Sequence, residues 1–207
     1  MPRPMGTRDP DYEAKRDALL VRLGERLGEK DGHRASLRDL AVAAGVSLPT
    51  LKHYFGSREG IVSAYLEACR RGGAFYLAMA ARPSGPFATS IQDFVALFVS
   101  GFSDPRAQQM HAIGLTEGLQ NAALGPAYLT QILEPTLAAV EQRLAAHMEA
   151  GEMQKVDPRH AALALVAPLF VAGLHQTSLG GTTVRALDIS AFATAHAARF
   201  VADYRET

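Results

Sequence analysis

The 207-residue chain has no tryptophan, a single cysteine and no net charge. One thiol, Cys69, excludes an intrachain disulfide, so packing alone must hold the fold, as a reducing compartment requires. Buried as a small hydrophobe, that cysteine needs no further role. Zero net charge means that the whole-molecule field selects neither nucleic acid nor membrane. The distribution says more. Residues 1–71 hold 13 Lys/Arg against 10 Asp/Glu, a net of +3, and residues 72–207 hold 8 against 11, a net of −3. The N-terminal third is the part better suited to a polyanion. Long apolar runs are missing as well: the longest, Ala161–Leu174, has 14 residues, where a bilayer span needs about 20. The opening MPRPMGTRDP lacks the apolar stretch of a secretion signal. A soluble, cytoplasmic protein with no membrane partner is expected.

Catalytic signatures are lacking too. The seven histidines, at 33, 53, 111, 147, 160, 175 and 196, form no H-E-x-x-H pair, and no G-x-S-x-G, phosphate-binding loop or dinucleotide fingerprint occurs. No enzyme is expected: no catalytic residue, no metal and no cofactor. Strand-like alternation of apolar and polar residues is absent, and so are repeats and low-complexity tracts.

What remains is helical. Apolar residues make up 48 % of the chain, enough for a real core in one large domain or two small ones. Asp9-Pro10 reads as a cap and first-turn proline for a helix carrying Leu19, Leu20, Leu23 and Leu27. Ser36, with Asp39 three residues on, starts a second helix that Gly45 ends. Ser47 caps a short third helix, and Ser57 a long fourth reaching about Ala81. RPSGP at 82–86 breaks the chain. Helices at about 87–102 and 105–119 follow, then one at about 126–150, interrupted near Pro135. The Asp157-Pro158 pair opens an eighth helix to about Ser178, LGGTT is a loop, and a ninth helix begins at Asp188 or Ser190. The fold class is all-α with about nine helices. The expected division is an N-terminal domain at 9–56 and a helical remainder at 57–207.

The segment SLRDLAVAAGVSLPTLKHYFGSREG, residues 36–60, packs three helix starts together. Leu37, Leu40, Ala41 and Ala44 share one face of the second helix, and Leu51 and Phe55 turn inward from the third. Gly45 stands where the chain must turn sharply, a position suited to positive φ. A helix, a short glycine-containing turn and a helix make the helix-turn-helix pattern, though a plain packed helical hairpin has the same spacing. The outward residues of the third helix are Ser47, Leu48, Pro49, Thr50, Lys52, His53 and Tyr54. They include donors for base edges and phosphates. Arg58 opens the fourth helix, where the dipole favours an anion, and Arg38 lies in the first turn of the second.

These residues resemble the DNA-binding segment of the tetracycline-repressor (TetR) family of bacterial transcriptional regulators. The resemblance lies in Ala41, Gly45-Val46-Ser47, Thr50-Leu51-Lys52-His53-Tyr54-Phe55 and Arg58-Glu59, and covers about 45 residues, from the first helix to Leu66. Lys52 stands where the family usually has a tyrosine, and Arg58 where it has a lysine; both keep a group able to hold a phosphate. The resemblance implies a ligand-responsive repressor that binds a palindromic operator in double-stranded DNA as a homodimer and is released by a small-molecule effector. It implies a DNA interface of Arg38, Ser47, Leu48, Pro49, Thr50, Lys52, His53, Tyr54 and Arg58. Base readout would fall mainly to Arg38, Leu48, Pro49 and Thr50. Arg3 and Arg8 could add an N-terminal arm.

The remaining helices supply a dimer face and a pocket. The eighth helix is apolar all round from Ala161 to Leu174, so burial on every side is expected. In the ninth, Phe192, His196, Phe200 and Tyr204 form one stripe, and Ala191, Ala195, Ala198 and Ala202 a second. Two such faces suit one packed on the chain's own core and one on a partner, and the resemblance implies dimerisation through these last two helices. Aromatic and methionine residues with a few polar neighbours are what a small-molecule site needs. The candidate effector residues are Phe94, Phe98, Gln109, Met110, Tyr128 and His175.

Overall fold

The computed structural model describes residues 10–206; Arg3, Arg8 and the Asp9 cap lie outside the described residues. Among the described residues the chain is helical throughout, with no named strand. It divides into two compact units. The first reaches to Arg71 and takes in Ile113–Tyr128; the second comprises Gly72–Ala112 and Leu129–Thr207.

The first unit opens with α1 (Pro10–Leu27), whose first turn carries Asp11 and Glu13 and whose last carries Arg26, as the helix dipole favours. Leu19, Leu20, Leu23 and Leu27 are buried. A 3₁₀ turn at Gly32–Arg34 leads to α2 (Leu37–Ala44) and α3 (Leu48–Phe55). Helix α4 (Arg58–Gly72) buries Ile61, Val62, Tyr65 and Leu66. Gly24 on α1 lies against the Tyr65 ring, where a larger residue would collide. The boundary expected at 56/57 therefore falls inside this unit, because α4 is part of its core.

The long fourth helix expected to reach Ala81 is two helices. Helix α4 stops at Gly72, Gly73 sits at φ −85° and ψ 3°, and α5 (Ala74–Ala81) follows. Two adjacent glycines cost a helix interior about 1 kcal/mol each relative to alanine, which makes this the cheapest place to interrupt it. The interruption expected near Pro135 takes the form of a wide π turn. Helix α8 (Leu124–Tyr128) runs through the π turn Leu129–Leu133 into α9 (Glu134–Glu149). Pro135 has no N–H to donate, and the π turn before it absorbs the mismatch. The LGGTT segment holds a single helical turn, α11 (Gly181–Val184), entered from Gly180 at φ 71°.

The second unit is built around α6 (Phe87–Ser103), with α9, α10 (Pro158–Thr177) and α12 (Ile189–Tyr204) packed together in one core. Asp157 caps α10 by accepting from the Arg159 and His160 amides, and Asp188 caps α12 by accepting from Ala191. Arg143 is only 2 % exposed yet charged. Its guanidinium donates to the carbonyls of Met79, Ala80 and Ser90 and to the Ser90 hydroxyl, at 2.6–2.9 Å, and lies over the Phe94 ring. A cation at the C-terminal carbonyls of α5 offsets that helix's negative end. The eighth predicted helix, α10, is not buried on every side. Ala161, Ala162, Leu165, Val166 and Leu169 enter the core, whereas Leu163, Ala164, Ala167 and Val171 stay exposed. Ala191, Ala195, Ala198 and Ala202 of α12 are exposed as well. Pro158–Thr177 is long and apolar enough by composition to cross a membrane, and its inner face is core.

Candidate nucleic-acid interface

Local hydrogen bonds build the α2–turn–α3 segment. Ser36 caps α2: its Oγ accepts from the Asp39 amide at 3.2 Å, and its own amide donates to the Asp39 carboxylate at 2.9 Å. This reciprocal box was legible in the sequence. The Ser36 hydroxyl, and then its amide, hold the Asp39 carboxyl below its ordinary pKa. Gly45 adopts φ 69° and ψ 31°, a left-handed conformation costly for any residue with a Cβ. The turn closes with Gly45 donating to the Val42 carbonyl and Val46 to that of Ala41. Ser47 then caps α3 by accepting from the Thr50 amide, and its hydroxyl pairs with Thr50 Oγ1 at 2.8 Å. Pro49 sits in the first turn of α3, where its missing N–H costs nothing.

Leu51 and Phe55 face inward, at 0 % and 8 % exposure, which fixes the opposite side of α3 as its outer face. Ser47, Pro49, Lys52 and His53 are exposed, as is Arg38 on α2; Leu48, Thr50 and Tyr54 are half-buried. Tyr54 is partly occupied by packing, its ring stacked on Tyr12 of α1 at 4.8 Å. His53 meets the same tyrosine edge-on at 6.1 Å. The structure thus brings Arg38, Ser47, Leu48, Pro49, Thr50, Lys52, His53 and Tyr54 onto one short motif. Val42, 76 % exposed and one turn beyond Arg38, is an apolar residue on that surface which the sequence did not single out.

Arg58 is placed differently. Its Nε donates to the Ala35 carbonyl at 3.0 Å, and Nη2 to the carbonyls of Gly32 and His33 at 3.2 Å each. Nη1 and Nη2 also grip both carboxylate oxygens of Glu117 at 2.5 Å. Glu117 is buried, and its hydrogen bonds raise the Arg58 pKa above its ordinary value. The guanidinium is therefore committed within the unit and not held open for a phosphate.

The six candidate effector residues fall in both units. Tyr128 belongs to the first unit, where Gly114 leaves room for its ring. Phe94 and Phe98 are core residues of α6. Gln109 and Met110 are half-buried on α7 (Pro105–Gln120). His175 lines an open, apolar groove of about 590 Å³ with Pro168, Val171, Leu187 and Phe192, its Nδ1 at 2.7 Å from the Gln176 amide. A cluster the sequence did not reveal lies in the second unit. Phe98 meets Phe102 at 5.3 Å; Phe102 stacks on His111 at 5.0 Å; Phe170 packs edge-on against both. Gly173 makes room for the Phe102 ring, which would overlap any Cβ there. Burial depresses the His111 pKa to about 4, so the ring is neutral at physiological pH. Among the described residues, no three His, Cys, Asp or Glu side chains are grouped to hold a metal.

Two sequence families match. Residues 25–65 fit the pattern described as "Bacterial regulatory proteins, tetR family", and residues 89–206 that of "AefR-like transcriptional repressor, C-terminal domain". No curated protein matches the sequence. Among solved structures, a regulator assigned to the TetR family from Mesorhizobium loti superimposes with a TM-score of 0.80 at 17 % identity, covering 95 % of this chain and 100 % of its own. The fatty acid degradation regulator FadR from Bacillus halodurans gives 0.70 at 16 %, covering 95 % and 97 %. SmeT, repressor of a multidrug efflux pump in Stenotrophomonas maltophilia and here in complex with triclosan, gives 0.68 at 19 %, covering 93 % and 92 %.

Proposed function

Since the chain belongs to the tetR family of bacterial transcriptional regulators, we propose that it is a cytoplasmic repressor that reads a palindromic operator with α3 as a homodimer and releases it on binding a small molecule. The carrying observation is the outer face of α3. Its inner side is locked by Leu51 and Phe55, and its first turn is capped by Ser47. Pro49, Thr50 and Lys52 are thereby presented where a recognition helix meets base edges and phosphates. Lys52 takes a phosphate as a flexible point charge where the family's tyrosine offers a hydroxyl. Arg38 and Thr50 read bases, with Leu48 and Pro49 beside them.

One recognition helix reads few base pairs, so two are needed. The exposed apolar residues of α10, Leu163 and Val171, and the four exposed alanines of α12 supply a self-complementary face for a second copy. The effector is assigned to the second unit, near the Phe98, Phe102, His111 and Phe170 rings, a largely apolar setting with one neutral imidazole. SmeT, of the same fold, has been solved in complex with triclosan.

The test is a gel shift on a duplex that the wild-type protein selects from a random-sequence pool, repeated across salt concentrations. Lys52→Ala should lower the salt slope by about one phosphate contact. Thr50→Ala should relax the sequence preference. If both variants bind that duplex as the wild type does at every salt concentration, the interface is not on α3.

A further inference from the structure

We infer that Arg58 serves DNA recognition as a positioning residue and that Glu117 is its essential partner. The pair grips both ends of the helix-turn-helix, so the pose of α3 depends on a carboxylate 59 residues away in sequence. This rests on the DNA-binding function proposed above.

Ala35, whose carbonyl accepts from Arg58 Nε, immediately precedes the α2 cap Ser36. Arg58 itself comes two residues after Gly56, the C-cap of α3. One guanidinium thus joins the entry and the exit of the motif. Its contacts to the Gly32 and His33 carbonyls hold the 3₁₀ turn that feeds α2. The bidentate grip on Glu117 then fastens this junction to the later part of α7.

That anchor is itself closely packed. Gly118 of α7 and Gly125 of α8 approach so closely that a Cβ on Gly118 would stand 3.2 Å from the Gly125 backbone, and Gly114 lies under the Tyr128 ring. A second link runs from Asn121, just past α7, to Glu59 at the start of α4, at 3.4 Å. Glu117 is 6 % exposed at its side chain and Arg58 22 %, so the pair is shielded from salt. With Nε, Nη1 and Nη2 all engaged within the unit, little of this guanidinium is left for a phosphate, and displacing Glu117 would leave a buried carboxylate unpaired.

Contact and positioning predict opposite results. Glu117 is acidic, so removing its charge would strengthen DNA binding if only the overall field mattered. Positioning predicts that Glu117→Gln weakens it. Lysine at 58 keeps the charge but cannot form the fork or reach three carbonyls, so Arg58→Lys should weaken binding equally.

The experiment measures affinity for the pool-selected duplex across salt concentrations with E117Q, R58K and the double variant. Both single variants should lose about tenfold or more in affinity with an unchanged salt slope, and the double variant should be no worse than either. Amide exchange on the same samples should show loosening at residues 35–40 with α12 unchanged. If E117Q does not fold, R58K alone carries the same test. The inference fails if E117Q binds as tightly as wild type, or if R58K retains wild-type affinity, as a phosphate contact would allow. A wild-type protein that enriches no duplex sinks the proposed function, and this inference with it; enrichment with a silent E117Q sinks this inference alone.

Discussion

Replacing His111 with phenylalanine should flatten the acid limb of the stability profile. The imidazole is stacked on Phe102 at 5.0 Å and edge-on to Phe170 at 5.2 Å, and burial depresses its pKa from 6.5 to about 4. The sign follows from the two states. In the folded chain the ring stays neutral until the pH nears 4, whereas in the unfolded chain it takes up a proton from about 6.5 downward. Above 6.5 neither state is protonated and the group has no effect. As the pH falls from 6.5 to about 4 the unfolded state gains a proton the folded state refuses, and stability is lost. The gap between those two values corresponds to about 3 kcal/mol once the pH is below both. Solvent reaching the half-buried ring trims this to about 2 kcal/mol. Phenylalanine keeps the ring contacts and cannot protonate. The carboxyls of Asp39, Glu134 and Asp157, all held low in the fold, are common to both proteins and cancel in the difference. Urea unfolding followed by far-ultraviolet circular dichroism should show the stability of the His111→Phe variant relative to wild type rise by roughly 1–2 kcal/mol between pH 7.5 and pH 4.5. Parallel profiles from pH 7.5 to 4.5 would refute the buried, neutral imidazole.

Arg143→Met should cost about 3 kcal/mol or more, because it strips donors from the Met79, Ala80 and Ser90 carbonyls inside the core; a loss under about 1 kcal/mol in the same urea assay would mean that those carbonyls find other partners. Gly45→Ala should cost about 1–2 kcal/mol, since φ is 69° there. The added Cβ would meet only the Arg22 guanidinium, at 3.2 Å, a flexible end that can yield, so the penalty is one of backbone conformation. A neutral G45A in urea unfolding would mean that the turn tolerates a right-handed alternative.

Local chemistry was legible in the sequence and distant chemistry was not. Ser36 with Asp39, Gly45, and Ser47 before a proline are readable because each device spans three or four residues, and the structure contains every one of them. Of the inward set expected from helical period, Leu40, Ala41, Ala44, Leu51 and Phe55 are buried, and Leu37, at the first turn of α2, is half-buried. The α4–α5 break was printed as Gly72-Gly73, but neither a proline nor a capping Ser, Thr, Asp or Asn marks the restart. Glu117 could not be assigned to Arg58, since nothing in periodicity pairs residues 59 apart. The same holds for Arg143, which reads as an ordinary solvated arginine on α9 until the α5 carbonyls are seen to meet it. The aromatic cluster depends on Gly173 as much as on its rings, and a glycine inside an apolar helix announces no partner. The exposed side of α10 was hidden by the uniformity of its sequence: an all-apolar helix carries no mark of which face the chain itself covers.

If α3 of two copies reads one palindrome, duplexes selected from a random pool with the full-length protein and then footprinted will carry its symmetry. The enriched sequence should be an inverted repeat, protected at two half-sites whose centres lie about one helical turn apart, roughly 34–36 Å, or a multiple of it. Protection of a single asymmetric site, or a pool that enriches nothing, would contradict that reading.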